Sequence, residues 1–342
     1  MRSVFLDACL RKDVEYTPVW FMRQAGRYLP SYRKIKGSKT VVEIAKNPEL
    51  ASNVAVDAVR TLKVDAGIIF ADIMLPLEGI GVKFGIVENT GPIVKKPIRS
   101  IDDIDSLDDF NAESVRFVFD GIKATLEKLD DSVPLIGFSG APFTLAGYLI
   151  EGQPSKDFTL TKKFMYSYPE GWHLLMKKLT AMVMDYLRGQ IKHGVSAVQL
   201  FDSWVGCLSQ KDYDHFVLNY TKEILGSINS GVPKIHFCAD SSALIESFDQ
   251  TNPDVISVDW RIRIDEVWKR CRREVAVQGN LDPALALVGG RIMERRVYEI
   301  LEKARGNKGY IFSLGHGVLK GTPPANLRRI VQIVHEKTRR RA

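Results

Sequence analysis

Eight short apolar, β-branched runs recur along the chain, and amphipathic segments of helical period separate nearly all of them. The runs lie near residues 19–22, 66–70, 135–138, 197–201, 234–238, 255–258, 275–278 and 310–313. The helical stripe is clearest at 172–192, where Leu174, Leu175, Leu179, Met182, Val183, Tyr186, Leu187 and Ile191 share one face. Further helices are predicted at 48–62, 111–129, 211–228, 241–249, 291–304 and 324–339. Alternation of this kind calls for parallel strands, because each crossover helix returns the chain to the same end of the sheet. Eight such units predict closure into a (β/α)8 barrel, with an open doubly wound sheet as the alternative. No GxGxxG follows the first run, which weakens a dinucleotide-binding version, and no P-loop is present. Segment 80–96 reads as a hairpin excursion with Gly81, Gly85 and Gly91 at its turns. No low-complexity linker divides the 342 residues, so 1–342 is expected to form one α/β barrel with extended loops at the C-terminal face of its strands.

Charge narrows the choice of partner. Lys and Arg number 48 against 41 Asp and Glu, for a formal charge of +7. Residues 328–342 contribute +5 of it, which leaves +2 over residues 1–327. Segment 336–342 is therefore expected to be a flexible, solubilising basic tail. It lacks the interleaved aromatics of a nucleic-acid site, so neither nucleic acid nor membrane is expected as a partner. No apolar run is long and charge-free enough to span a bilayer. Asp7, Arg11, Lys12 and Asp13 stand where a signal peptide needs apolar residues. The scattered Cys9, Cys207, Cys238 and Cys271 suit reduced thiols, and a cytoplasmic location is expected. A second basic region runs from 16 to 42 without a single Asp or Glu, and contains Arg23, Arg27, Arg33, Lys34, Lys36 and Lys39. Such a stretch suits a ligand bearing several negative groups.

In a barrel the chemistry sits at the C-terminal ends of the strands. The first run leads into Arg23, Gln24, Gly26 and Arg27, the second into Asp72, and the third into a segment holding Tyr148. The fourth leads into Asp202 and Ser203, and the last into His316 between two glycines. Arg23 and Arg27, four apart, can reach one face and pair with carboxylates, or can make ordinary surface ion pairs. Asp72 sits among apolar neighbours, where a carboxylate needs a partner or a function; capping backbone N–H groups is the plainer option. Tyr148 also fits the core, Ser203 a helix cap, and His316 a structural histidine. His236 and Cys238 have the spacing of a zinc pair at the end of one run, but no third soft ligand is evident. A nucleophile elbow is absent.

Several longer segments carry a resemblance. PVWFMRQAGRYLPSYR closely resembles the N-terminal signature of the uroporphyrinogen decarboxylase family, and GAPFTLAGYLIEG its second signature. FADIM, QLFDSWVG, VQGNLDP and LGHGVLKGTPP resemble its remaining characteristic segments, in order. The resemblance implies a homodimeric (β/α)8 barrel. It would remove the four acetate carboxylates of uroporphyrinogen III without a cofactor or metal, giving coproporphyrinogen III in haem and porphyrin biosynthesis. It implies that Arg23, Gln24, Ala25, Gly26 and Arg27 form the substrate-binding loop and that Asp72 is the central carboxylate. Tyr148, Ser203 and His316 would be further substrate contacts, with Asp72 and Arg23 nearest the chemistry. Phe201 is expected beneath the macrocycle, and Lys36 stands where the family often has arginine. The segment IHFCADSSAL departs from the expected pattern, and it keeps a zinc-dependent corrinoid or methionine-synthase-like methyltransferase on the same barrel as the alternative.

Overall fold

The computed structural model describes residues 3–87, 90–229, 231–240 and 242–340. Seven strands form one all-parallel sheet: β1 (Gly67–Ile68), β4 (Leu135–Gly140), β5 (Ala197–Phe201), β6 (Lys234–Phe237), β7 (Val255–Ser257), β8 (Ala276–Leu281) and β9 (Tyr310–Leu314), paired in that order. The intervening β2 (Phe84–Val87) and β3 (Gly91–Val94) make the expected antiparallel hairpin, but of the three glycines only Gly81 sits in a turn; Gly85 and Gly91 lie in the strands, opposite Ile93 and Val87.

The first predicted strand, 19–22, differs from expectation: it closes the barrel without forming a ladder. Val19 bridges Phe312 in parallel. Phe312 N–H donates to Pro18 O, and Trp20 N–H donates to Phe312 O. On the other side Asp65 N–H donates to Val19 O, while Val19 N–H is taken by the Asp65 carboxylate at 2.7 Å. The Gln24 side chain completes this seam. Its Oε1 accepts Phe21 N–H and its Nε2 donates to Ala66 O, at 3.1 and 3.0 Å. Carboxylate and amide side chains thus stand in for ladder bonds, so residues 19–22 are the eighth stave of the barrel but not a regular strand.

Alternation along the strands sorts side chains to the inside or outside. Gln278 on β8 donates to Gln199 on β5 and to Ser257 on β7, and its Oε1 accepts the Trp20 indole N–H. β5 and β8 are not neighbours, so these bonds cross the barrel interior. Two residues further along β5 and β6, Phe201 and Phe237 point to the same inside space, above the polar layer.

Helices sheath the sheet. The helix Pro169–Lys192 buries Leu175, Leu179, Met182, Val183, Tyr186 and Leu187 of the stripe read from its period, with Leu174 and Ile191 half-buried at its edge, and it buries Trp172 as well. The helix Pro48–Leu62 begins where Asn47 accepts Leu50 N–H and Pro48 occupies its first turn. Two predicted helices are broken: 111–129 is a 3₁₀ turn Ala112–Val115 followed by Arg116–Leu126, and 211–228 is Gln210–Phe216 followed by Leu218–Gly226. The predicted helix at 241–249 is a 3₁₀ turn Ser242–Leu244 leading into Ile245–Gln250; Ser241 lies outside the described residues.

The basic tail also differs from expectation. The last helix, Pro324–Thr338, extends into it. Beyond the helix Arg339 pairs with Glu15 and Arg340 with Asp13, and Arg340 N–H donates to Glu15 O. The acidic residues of the N-terminal segment give these cations partners that sequence distance conceals. Residues 341–342 lie outside the described residues. No helix among the described residues is long and apolar enough to cross a membrane.

Candidate active site

A cleft of about 440 Å³ opens at the C-terminal ends of the strands. Its floor is aromatic. Phe138 and Phe201 meet edge-to-face at 5.4 Å, Phe201 and Phe237 at 5.6 Å, and Phe237 reaches the His316 ring at 6.0 Å. Arg23, Ala25, Gly26, Arg27, Asp72, Tyr148, Ser203 and His316 all line it. Loops far apart in sequence therefore bring eight of the expected site residues to one space.

The Gln24 side chain is not among them. It is buried in the seam described above, and its backbone carbonyl accepts the Tyr28 hydroxyl at 2.6 Å. The same turn explains Arg23. A Gln24 N–H to Phe21 O bond closes the stave, and Arg23 is held at a left-handed φ of 60°. Non-glycine residues adopt that conformation at a cost, and such positions gather at functional sites. The Arg23 side chain then runs across Gly317, where an added Cβ would lie 2.4 Å from Arg23 Cδ. Glycine at 317 is needed for this passage.

The acid-free stretch divides its cations between ligand and scaffold. Arg23 and Arg27 face the cleft. Arg33, on the helix Pro30–Lys36, donates instead to the carbonyls of Arg27 and Tyr28, at 3.1 Å each, and pins the loop. Lys34, Lys36 and Lys39 do not line the cleft, whereas Lys320, from the loop after His316, does.

Asp72 follows β1 and is half-buried. Its Oδ1 accepts Met74 N–H at 2.9 Å, so it does cap the turn that follows, as its plainer reading proposed. It also faces the cleft. Burial pushes its pKa up, while the Met74 N–H and the Arg23 charge pull against that rise. His316 is held neutral: burial, with Arg23 nearby, brings its pKa down to about 4. Gly317 N–H donates to His316 Nδ1 at 2.7 Å, so the ring proton sits on Nε2 and the ring is a hydrogen-bond donor. Burial raises the Tyr148 phenol, which is a neutral donor at ordinary pH.

The His236–Cys238 pair does not converge on a metal. His236 alternates with the inward Phe237 and so points outward, where its ring packs on Phe248 at 4.4 Å. Its Nδ1 meets Thr251 Oγ1 at 3.2 Å and its Nε2 lies 3.6 Å from Asp202 Oδ2. Cys238 Sγ lies against Ala239 O at 2.9 Å. Among the described residues no three His, Cys, Asp or Glu side chains group to hold a metal ion.

Tyr28, Tyr32, Trp204 and Lys320 line the cleft without having been expected there. Trp204 and Tyr28 each adjoin an expected residue, Ser203 and Arg27, and that adjacency was their available signal. Tyr32 and Lys320 lie within the segments PVWFMRQAGRYLPSYR and LGHGVLKGTPP, but nothing in those segments singled them out.

The family model Uroporphyrinogen decarboxylase (URO-D) matches residues 2–337. The uroporphyrinogen decarboxylase of Carboxydothermus hydrogenoformans is 44% identical over 98% of this chain and 97% of its own length. That of Sorangium cellulosum is 45% identical over 98% and 96%. Among solved structures, a methyltransferase from Methanosarcina mazei superposes with a TM-score of 0.80 at 16% identity, covering 97% of each chain. A B12-independent methionine synthase from Shewanella sp. W3-18-1 gives 0.57 at 10% identity, over 86% of this chain and 90% of its own. At such identities the two structural likenesses speak for the barrel alone.

Proposed function

The chain belongs to the uroporphyrinogen decarboxylase family, and from that premise we propose how its cleft performs the reaction. The enzyme decarboxylates uroporphyrinogen in porphyrin biosynthesis, converting the four acetate arms to methyl groups and releasing carbon dioxide. Each event replaces a carboxylate by a proton, and the electron pair left on carbon needs somewhere to go. The substrate provides a sink. Protonation of the neighbouring ring carbon, the one between the acetate-bearing carbon and the pyrrole nitrogen, makes a cationic ring in which the acetate-bearing carbon can accept electrons. The bond to the carboxylate then breaks, its electrons enter the ring, and carbon dioxide leaves. The exocyclic methylene takes a proton to become methyl, and the ring carbon gives its own proton back.

What such a reaction asks of the protein is a negative charge beneath the ring and positive charge around its edge. One observation carries the assignment: a carboxylate, Asp72, lies in the same aromatic-floored cleft as Arg23 and Arg27. Asp72 accepts pyrrole N–H groups and stabilises the cation as it forms. Arg23 and Arg27 hold the acidic arms, and the Nε2–H of His316 donates to them without adding charge. Tyr148 and Ser203 complete recognition, and Phe138, Phe201 and Phe237 support the macrocycle face.

A homodimer, which the family resemblance implies, is part of the same proposal. Leu287, Val288, Ile292 and Leu319 expose apolar side chains; Leu319 adjoins Lys320 of the cleft in sequence, and Leu287 lies against Gly321. A sedimentation mass of one chain at micromolar concentration would remove it.

The test of the reaction is anaerobic incubation of the purified protein with uroporphyrinogen in chelator-treated buffer, followed by oxidation and pigment analysis. Coproporphyrin, with intermediates of seven, six and five carboxylates, is the expected product. Unchanged uroporphyrin from folded protein would overturn the proposal.

A further inference from the structure

One donor in the wall of the cleft has no task in the scheme above. Trp204 follows Ser203 after β5, and its indole N–H is buried without a hydrogen-bond partner among the described residues. An indole nitrogen can only donate, and a buried donor left unmatched is unfavourable. The ring is half-buried in the cleft wall, with its nitrogen covered. It stands edge-on to Tyr148, with centroids 6.2 Å apart and planes at 76°, and it lies against Phe158 at 5.4 Å. Phe158 is itself seated over Gly147, where a Cβ would come within 2.9 Å of its ring. A second contact fixes the frame: Thr144, one helical turn before Tyr148, donates to Asp202 Oδ1 at 3.3 Å. The helix carrying Tyr148 and the loop carrying Ser203 and Trp204 are thereby tied together.

The covered position of the indole nitrogen argues against a direct bond to a ligand in the open cleft. The Tyr148 hydroxyl is the acceptor at hand. The indole already opposes the rise that burial imposes on the Tyr148 phenol, as a donor beside its oxygen would.

Resting on the reading that Tyr148 binds an acidic arm of the substrate, we propose that Trp204 is a positioning residue for Tyr148. When substrate is seated, the indole N–H occupies the oxygen side of the Tyr148 hydroxyl. The phenolic proton is then left with the substrate carboxylate as its acceptor. Without the indole the hydroxyl is free to turn, and it must be ordered at each binding event.

A double-mutant cycle tests this. Wild type, Trp204→Phe, Tyr148→Phe and the double variant are compared by KM and kcat for uroporphyrinogen, with melting curves for each. Trp204→Phe keeps an aromatic ring in the wall and removes the donor, and the packing it also loses is common to both backgrounds of the cycle. It should raise KM about tenfold with kcat less affected, and change KM less than about twofold when Tyr148 is already Phe. Trp204→His, which keeps a ring N–H, should lie nearer wild type than Trp204→Phe. Equal effects of Trp204→Phe in both backgrounds, or none in either, would overturn the coupling while leaving Tyr148 in its place. A Tyr148→Phe variant with normal KM would remove both the coupling and the assignment of Tyr148.

Discussion

Arg23 is one of two groups that pull Asp72 toward its charged form against the effect of burial. Burial favours the protonated carboxyl, whereas Arg23 and the Met74 N–H favour the carboxylate. Arg23→Gln should therefore raise the Asp72 pKa. The acid limb of its residual kcat/KM profile should move to higher pH than in wild type, and an unmoved limb would separate the two residues. His316 gives a prediction about stability. Its folded pKa of about 4 lies below its unfolded value, so the unfolded chain binds the extra proton. Sign follows from linkage: this contribution is complete above the unfolded pKa near 6.5 and is lost as pH falls toward about 4. It amounts to at most about 3 kcal/mol for such a shift. In His316→Gln the fall in denaturation midpoint between those pH values should flatten, and an unchanged slope would count against a neutral buried ring.

Single elements aim these residues, and the eighth stave shows how. It holds by side chains where a ladder would use backbone, and Gln24 satisfies both Phe21 N–H and Ala66 O. Gln24→Ala strands two buried backbone groups and should cost about 2–4 kcal/mol in chemical denaturation, with KM changed far less than by Arg23 substitutions. Gly317→Ala should mimic an arginine variant, because its Cβ occupies the path of the Arg23 side chain; a KM rise of about tenfold is expected, at near-normal stability. These two elements also mark where sequence reading stopped. The alternation of apolar runs with amphipathic segments located seven strands and the long helices, since the strands are buried almost throughout and each long helix buries a periodic face. It also located residues 19–22 in the barrel wall, but a bond between Val19 N–H and the distant Asp65 carboxylate leaves no periodic trace. Gln24 and Arg23 are neighbours in one motif, and only the left-handed turn between them sends one into the wall and the other into the cleft. The break at Val217, between two helices, was likewise invisible in a continuous apolar pattern.

At the scale of the whole molecule, the barrel gathers at one rim residues that lie as far apart as Arg23 and His316, and the order of strands makes that gathering predictable. The expected basic tail is less separate than its charge implied. Because the pairs of Arg339 and Arg340 are exposed, truncation after Thr338 should change stability by less than about 1 kcal/mol and leave turnover intact. Salt-sensitive loss of activity on truncation would give the tail a role in the reaction. In the proposed reaction the positive charge that matters is local, that of Arg23 and Arg27 in one cleft with Asp72 and the aromatic floor. Asp72→Asn keeps the shape of that side chain and removes its charge, so the most direct measurement is its turnover of uroporphyrinogen under anaerobic conditions, alongside a melting curve. The cleft described here predicts a folded protein whose kcat falls about 10²–10³-fold. A folded Asp72→Asn enzyme with near-normal kcat would contradict it.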